Sequence, residues 1–472
     1  MRATGCIRWV ITLIAIASAQ EARAFPAFAR KYGMACSACH VAWPIFNQQG
    51  QNFRDNGYQF RLGKDDPVAL RPEYLPISLR TTVGYQFTRT TNQPAGTSDA
   101  PFPVVTRTGG IPAPSVDVLT GGTIATDLSF LLVISGFNPA DGLASVESAW
   151  ARLDRIAGND WLNLKVGKFE LDQPASSHRA ITLLYNYAAY SAKLPGSAVA
   201  FDMAENQLGL ELDGHSARST TRYALSLVSA NGDPGSTGAF SSPLLYGHVQ
   251  QAFELGSTIV PWIRVGALGA VGWWPTEIAT FTTTTPGTAL VAPRPSGFRT
   301  RPALLRTTSR PVAQTVSIPG TGTNLKQYYR AGAELSWLLG YPSTPLFFTV
   351  AYIYGRENAG LASGTAPDGS DLSASANHFN SGFAELDWSP FIELVGFLRY
   401  DAVRYGTPPG DVDAGTIGLR YYLVIAPRAS MALHLEGHVD RNRGFDPVSG
   451  GPSFNGQDVV VQSVLAALDF IF

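Results

Sequence analysis

The chain has 472 residues, of which 45% are hydrophobic and only 15% are charged, whereas about 25% of the residues in an average soluble domain are charged. Its 35 Lys and Arg residues nearly balance its 36 Asp and Glu residues, so the formal net charge is −1. This balance argues against nucleic acid as a partner, because phosphate binding needs a basic face.

Residues 1–24 are predicted to be a secretory signal peptide. Arg2 and Arg8 form a basic start, and an apolar run follows over residues 9–19. Ala22 and Ala24 then supply the small residues of a cleavage site. The alternative is an anchoring helix, but the apolar run is too short to span a membrane comfortably.

A Cys-Ser-Ala-Cys-His motif follows the signal peptide. Cys6 leaves with the signal, so the mature chain keeps only Cys36 and Cys39, and His40 comes directly after them. This is the attachment pattern of c-type haem. Two thiols at this spacing add to the two vinyl groups of one porphyrin, and the imidazole reaches the iron. We therefore predict one covalent haem c on Cys36 and Cys39, with His40 as an iron ligand.

Two other uses of the cysteine pair fit less well. A thioredoxin-like pair would need a strand–helix setting in an α/β fold, which the sequence does not supply. A structural zinc site needs four ligands, and the chain has no second cysteine pair.

Residues 25–75 are predicted to be a short, mostly helical monohaem cytochrome c segment. Trp43, Phe46 and Phe53 recur in it at roughly helical spacing and could pack on a porphyrin, although such spacing is also typical of ordinary core. A piece of this size can hardly bury a haem alone. We therefore expect the rest of the protein to house it.

Residues 76–472 are dominated by alternation of apolar and polar residues. "ISLRTTVGYQF", "STTRYALSLVSA", "YYRAGAELSWL" and "RASMALHLEGHV" all show the period of two that is typical of strands with one apolar face. Further strands are predicted at about 115–136, 146–155, 161–170, 181–193, 206–213, 242–254, 261–273, 345–355, 379–388, 391–404 and 415–425. The total is about sixteen strands.

Three features favour a membrane barrel over a secreted soluble β-protein, which stays the alternative. The apolar faces carry aromatic residues while the opposite faces carry Arg, Glu and His. No blade-like repeat appears, and the final "VVVQSVLAALDFIF" resembles the assembly signal of bacterial outer-membrane barrels. The predicted fold is all-β: a transmembrane β-barrel in contact with outer-membrane lipid, with the haem segment housed in or at its lumen. Residues 275–325, rich in Thr, Pro and Gly, are predicted to be a long extracellular loop.

The combination of a signal peptide, the single motif in "FARKYGMACSACHVAWP" and a porin-like barrel resembles the fused cytochrome–porins. These include the outer-membrane iron oxidases of iron-oxidising bacteria. The stretch "WLNLKVGKFELDQPASSHR" also resembles their barrels. The resemblance implies one haem on Cys36, Cys39 and His40 in the barrel mouth or lumen. It also implies that electrons pass from extracellular Fe(II) to a periplasmic cytochrome or copper protein.

The sequence leaves several points open. Fe(II)-oxidising oxidoreductase activity is a hypothesis, since no catalytic residue is visible. A solute porin with a haem-bearing plug or redox sensor is the alternative, and so is electron exchange with a non-iron extracellular partner. By strand parity His248, His434 and His438 are predicted to face the lumen, as weak candidates for a distal iron ligand, while Met431 is predicted to face lipid.

Carboxylates are the natural attractors for Fe(II), being hard oxygen ligands. Residues 356–376 carry Glu357, Asp368 and Asp371. Ordinary solvation of a loop explains these residues equally well.

Overall fold

The structure is a computed structural model. It describes residues 26–34, 38–42, 45–60, 65–68, 76–97, 100–111, 115–136, 145–194, 199, 201–230, 242–257, 259–275, 278–285, 312–319, 325–341, 344–357, 363–365, 371–373, 378–406, 410–426, 429–446 and 451–471. Over these ranges no α-helix is long and apolar enough to cross a membrane. The predicted signal peptide lies outside them.

Before the barrel, the described residues form two short helices and a two-stranded sheet. The elements are α1 (Pro26–Tyr32), β1 (His40–Ala42), β2 (Ile45–Phe46) and α2 (Gln48–Asp55). Helix α2 begins at Asn47, whose side chain accepts a 2.9 Å hydrogen bond from Gly50 N–H and caps the helix. The chain leaves α2 through Gly57, whose φ of +74° suits glycine.

Twenty-three strand segments follow within the described ranges. They are β3 (Ile77–Thr97), β4 (Ala100–Gly110), β5 (Ser115–Ala125), β6 (Leu128–Ser135), β7 (Ser145–Leu153), β8 (Asn163–Phe169), β9 (Gln207–His215), β10 (Thr221–Ser229), β11 (Pro243–Glu254), β12 (Trp262–Pro275), β13 (Ile278–Thr285), β14 (Val312–Pro319), β15 (Leu325–Leu339), β16 (Leu346–Glu357), β17 (Ser363–Thr365), β18 (Asp371–Ser373), β19 (His378–Phe391), β20 (Leu394–Tyr405), β21 (Val412–Ala426), β22 (Ala429–Asn442), β23 (Phe445–Asp446), β24 (Gly451–Pro452) and β25 (Val459–Ile471).

Seventeen of these segments close into one antiparallel barrel, in which the last strand, β25, pairs with the first, β3. Both β4 and β5 pair with β3, β5 along its first residues and β4 along its later ones. They are therefore two halves of one interrupted wall strand, and the wall has sixteen strands. The predicted fold class and approximate strand number are confirmed.

The alternation of the sequence places apolar side chains outside the barrel and polar side chains inside. In β15, Leu335 is 38% exposed on the outer face, whereas its neighbours Glu334 and Ser336 are buried on the inner face. In β10, Leu225 and Leu227 are likewise exposed. Apolar side chains on the outer face suit contact with the hydrocarbon of a membrane. Closure of the barrel also leaves no unpaired edge of the sheet, so the backbone groups of the wall are bonded within the wall.

The two ends of the barrel differ in the length of their connections. Residues 126–127, 216–220 and 392–393 make short turns at one end, where β3 begins and β25 finishes. The connections at the other end include residues 170–206, 276–324 and 358–377. Outer-membrane barrels keep short turns in the periplasm, so the short-turn end is the periplasmic one. Hairpin β13–β14 belongs to the predicted extracellular loop, and the rest of that loop lies outside the described residues.

The described residues between 170 and 206, called here the inward segment, cross the lumen to the opposite wall. The predicted strand at 181–193 was wrong, because no described residue of this stretch is in a strand. Glu436 accepts hydrogen bonds from Leu183 N–H at 2.6 Å and Leu184 N–H at 3.2 Å, and Asp401 accepts one from Ala188 N–H at 3.0 Å. Carboxylates of the wall thus satisfy backbone groups that a neighbouring strand would otherwise bond.

Strand β4 was missed by the prediction. Its sequence "APFPVVTRTGG" places two prolines near the start, which argue against a strand. They are tolerated here near the tip of the β3–β4 hairpin.

Candidate functional site in the barrel lumen

The N-terminal segment, which carries α1, β1, β2 and α2, docks on the inner wall near the periplasmic end. In α1, Ala27 N–H donates to Ser78 Oγ at 3.2 Å, and Arg30 Nη2 donates to Ile77 O at 2.7 Å. Both acceptors lie at the start of β3. The segment therefore enters the lumen beside the seam that closes the barrel.

Helix α2 is held by the wall on the far side of the same end. Arg152 Nη2, from β7, donates to Asp55 O at 2.7 Å. Ser219 Oγ, in the turn between β9 and β10, donates to Asn52 Oδ1 at 3.3 Å. Backbone and side-chain groups thus tie both ends of the segment to the barrel.

A cluster of aromatic rings joins the two helices. The ring centroid of Phe53 lies 5.2 Å from Phe28, 5.5 Å from Tyr32 and 4.5 Å from Phe60. Edge-to-face and tilted arrangements at these distances are favourable for aromatic pairs. Phe53 was predicted to pack on the porphyrin or in ordinary core, and the structure shows it at the centre of this cluster.

The motif lies directly against α2. Asn47 N–H donates to Cys39 O at 3.0 Å, and a Cβ atom added at Gly50 would lie only 2.0 Å from the same oxygen. The ring of His40 stacks on Phe46, with centroids 4.8 Å apart. The first cysteine of the motif, Cys36, lies outside the described residues.

Two groups of this region have perturbed pKa values. Burial raises the pKa of the Cys39 thiol to about 11, so the thiol is protonated at neutral pH. Burial would also raise the pKa of Asp55, but the guanidinium groups of Arg222 and Arg54 bring the pKa well below its ordinary value. Asp55 is therefore ionised at neutral pH.

Cys39 and His40 line one cavity of about 380 Å³ between the N-terminal segment, the wall and the inward segment. Pockets that hold ligands and cofactors measure about 300–1,000 Å³. The lining includes the rings of Phe28, Phe46 and Trp150 and also buried charged groups. A flat aromatic group carrying carboxylates would find both kinds of partner here, so the residues present fit a haem.

One wall of the cavity region carries a charged network centred on Asp172 of the inward segment. Asp172 pairs with Arg222 of β10, and its Oδ1 lies 3.7 Å from Arg54 Nη2 of α2. Its Oδ2 lies 2.7 Å from His248 Nδ1, and His248 Nε2 lies 3.4 Å from Glu334 Oε1. The network thus links the N-terminal segment, the inward segment and the wall.

The comparisons with known proteins concern the barrel. No protein-family model matches the chain, and no curated protein matches it. Among solved structures, the chain is similar to an anion-selective porin from Comamonas acidovorans at 9% identity and a TM-score of 0.47, covering 84% of this chain and 99% of that one. It is also similar to OmpF of Salmonella typhi in a complex with daunomycin, at 10% identity and a TM-score of 0.46, covering 84% and 97%. The outer membrane channel DcaP of Acinetobacter baumannii gives 11% identity and a TM-score of 0.45, with the same coverage.

The closed antiparallel wall, its apolar exterior and its polar, partly filled lumen decide the class of protein. The chain is a porin-like outer-membrane β-barrel. The predicted location in the bacterial outer membrane is confirmed, and membrane lipid is the environment of this barrel's outer face.

The three predicted distal candidates do face the lumen, since His248, His434 and His438 are each less than 5% exposed. None of them is among the described residues that line the cavity of Cys39 and His40. His434 Nε2 lies 2.9 Å from Glu436 Oε2, and His438 Nδ1 lies 2.8 Å from Thr416 Oγ1. The geometry gives these three residues no support as iron ligands.

Two histidines that the sequence analysis missed do line the cavity, namely His178 and His215. The predicted strand was placed at 206–213 and ended two residues before His215. If the strand had been extended with the same alternation as the inward-facing Glu211 and Asp213, it would have predicted that His215 faces the lumen. His178 lies in the inward segment, where no periodic pattern could indicate its direction.

The predicted carboxylate attractor Glu357 has another role. It is the last residue of β16, is fully buried and lies 2.9 Å from Arg330 Nη2. The prediction of a solvated loop acid at this position was wrong. Asp368 lies outside the described residues. Within the described part of the chain, no group of three or more His, Cys, Asp or Glu residues is arranged to hold a metal ion.

Proposed function

We propose that this barrel carries electrons across the outer membrane through one haem c attached at Cys36 and Cys39, with extracellular Fe(II) as the electron donor. The observation that supports the proposal is the position of the motif. Cys39 and His40 line a cavity inside the lumen, together with residues of the wall and of the inward segment. A cysteine pair with a following histidine at this spacing is the attachment pattern of c-type haem.

A haem bound there supplies reversible one-electron transfer. The chain would hold this group: the thiols of Cys36 and Cys39 would fix it covalently, and His40 would bind its iron. The aromatic cluster around Phe53 holds the two helices of the segment together. The arginines near the cavity, Arg54 and Arg222, offer cationic partners for carboxylates.

The location of the segment supports the proposed direction of transfer. Its contacts with β3 and with the turn between β9 and β10 place it near the periplasmic end. A periplasmic cytochrome or copper protein approaching that end would come close to the motif. Fe(II) on the other side would not have to be imported for its electron to cross the membrane.

A second function, that of a solute porin whose N-terminal segment acts as a plug or redox sensor, is favoured by a different observation. The wall is a closed porin-like barrel with buried ionic groups on its inner face, among them the pair Arg399–Asp401 at 2.7 Å. Such a lumen would suit the passage of polar solutes if the segments inside it moved aside.

Covalent attachment of haem is tested first. The purified protein should keep peroxidase staining after denaturing electrophoresis, and Cys36→Ser together with Cys39→Ser should abolish it. A wild-type band without staining would refute the haem assignment.

The donor is tested by stopped-flow mixing of the oxidised protein with Fe(II), followed by absorbance of the reduced haem. Reduction by dithionite but not by excess Fe(II) would reject iron as the donor and leave electron exchange with another extracellular partner. Measurable flux of small sugars through liposomes containing the wild-type protein would support the porin function instead.

A further inference from the structure

We propose that His215 is a second protein ligand of the haem iron, in addition to His40. This inference rests on the haem-based function proposed above and adds a ligand that the sequence motif does not contain. It follows from the hydrogen bonds of one imidazole ring, from its burial and from its position in the wall.

The hydrogen bond of Nδ1 fixes the tautomer of His215. Nδ1 lies 2.9 Å from Ser216 O, and a carbonyl oxygen can only accept, so Nδ1 carries the proton. The lone pair of a neutral ring is then on Nε2. Nδ1–H bonded to a backbone carbonyl is the arrangement that orients a histidine for binding a metal through Nε2.

Nε2 itself makes no hydrogen bond within the described part of the chain, although His215 is only 2% exposed. A buried polar nitrogen without a partner costs free energy, because burial removes its water. The ring lines the same cavity as His40 and Cys39. An iron atom in that cavity would give the nitrogen the partner that the protein does not.

His215 is also tied to the helix that follows the motif. Ser219 Oγ lies 3.3 Å from His215 Nδ1 and donates to Asn52 Oδ1 of α2 at 3.3 Å. The backbone N–H of His215 donates to Asp160 O at 3.2 Å. The ring therefore stands on a fixed part of the wall and is linked through Ser219 to the segment that carries His40.

The other donors lining the cavity are placed less favourably. His178 also has a buried Nε2 without a hydrogen bond within the described residues, but it lies on the inward segment and not on a wall strand linked to α2. Met34 is only two residues from Cys36, so the thioether anchor keeps it near the attachment side.

The test uses the purified holoprotein and three variants: His215→Ala, His215→Met and the matched control His178→Ala. The wild type should show a low-spin ferric signal by electron paramagnetic resonance and should not bind CO rapidly when reduced. His215→Ala should lose the low-spin signal, gain rapid CO binding and recover the low-spin signal on addition of imidazole. His178→Ala should behave as the wild type.

Rescue by imidazole separates ligation from a structural role, because imidazole cannot repair a misfolded wall. If His215→Ala fails to fold, His215→Met should fold and stay low-spin with an altered ferric spectrum. Loss of the low-spin signal in His178→Ala, or an unchanged signal in both alanine variants, would overturn the assignment. A wild-type protein without covalent haem would instead refute the proposed function, and this inference with it.

Discussion

Gly50 is the position where one added methyl group should separate the motif from its supporting helix. A Cβ atom at Gly50 would lie 2.0 Å from Cys39 O and 2.8 Å from Phe46 Cδ1. Real Cβ atoms essentially never come within 3.0 Å of a non-bonded heavy atom. Gly50→Ala must therefore move α2 and the motif apart by about 1 Å. The same movement lengthens the 3.0 Å hydrogen bond from Asn47 N–H to Cys39 O.

The cost can be estimated from these two contacts. Overpacking costs about 1–3 kcal/mol, and a lost hydrogen bond costs about 1 kcal/mol. The nearest atom belongs to the backbone, so no side-chain rotation relieves the clash. A loss of about 2–4 kcal/mol raises the fraction of molecules with an undocked segment about 30- to 700-fold.

Trypsin cleavage of the folded protein in detergent measures this fraction. Arg30 and Arg54 are cleavage sites within the segment, and the cleavage rate follows the undocked population when reclosing is fast. Gly50→Ala should be cleaved there at least about 30-fold faster than the wild type. Gly415→Ala is the control, because a Cβ atom at Gly415 would meet nothing within 4 Å. Equal rates for the two variants would refute the reasoning.

Three further expectations concern charged groups. Arg399→Met leaves Asp401 buried without its 2.7 Å partner and should destabilise the barrel by about 3–5 kcal/mol, seen as a lower unfolding temperature in electrophoresis; an unchanged temperature would contradict this. Glu436→Ala removes the acceptor of Leu183 N–H and should loosen the inward segment, raising single-channel conductance in planar bilayers above the wild-type value. Asp55→Asn should speed hydrogen exchange in α2. The folded-state pKa of Asp55 is lowered, so its carboxylate stabilises the docked segment at any pH above the unfolded-state pKa of about 3.9. This stabilisation is lost only as the pH falls through the lower folded-state pKa. The difference from wild type should therefore persist at about pH 5.

The barrel could be predicted from the sequence because its determinants are local. Leu225 and Leu227 alternate with polar residues along a single strand, so the pattern itself indicates which face meets lipid. Residues 181–193 were also predicted to be a strand, yet their backbone is bonded by Glu436 and Asp401 from distant strands. A contact of this kind depends on the closed barrel, so it could not be predicted from the sequence of the segment itself.

The candidate site divides in the same way. Cys36, Cys39 and His40 form a contiguous motif, so their chemistry could be predicted without the fold. The involvement of His215 depends on its hydrogen bond to Ser216 O and on the cavity that it shares with His40, which only the folded chain brings together. The alternation of side chains along a strand also predicts, correctly, that His248, His434 and His438 face the lumen. It gives the direction of a side chain and not its depth along the barrel, so it could not show that these three lie away from the cavity.

The seam between the first and last strands has a consequence for how the molecule is assembled. β25 closes the wall against β3, and at that joint Arg80 Nε lies 3.0 Å from Asp469 Oδ1, with Arg80 lining the same cavity as the motif. The N-terminal segment docks on the first residues of β3, so the strand that closes the wall also holds the segment. Assembly of the wall and docking of the segment would therefore be coupled through β3, and a change that weakens the closing joint would loosen both.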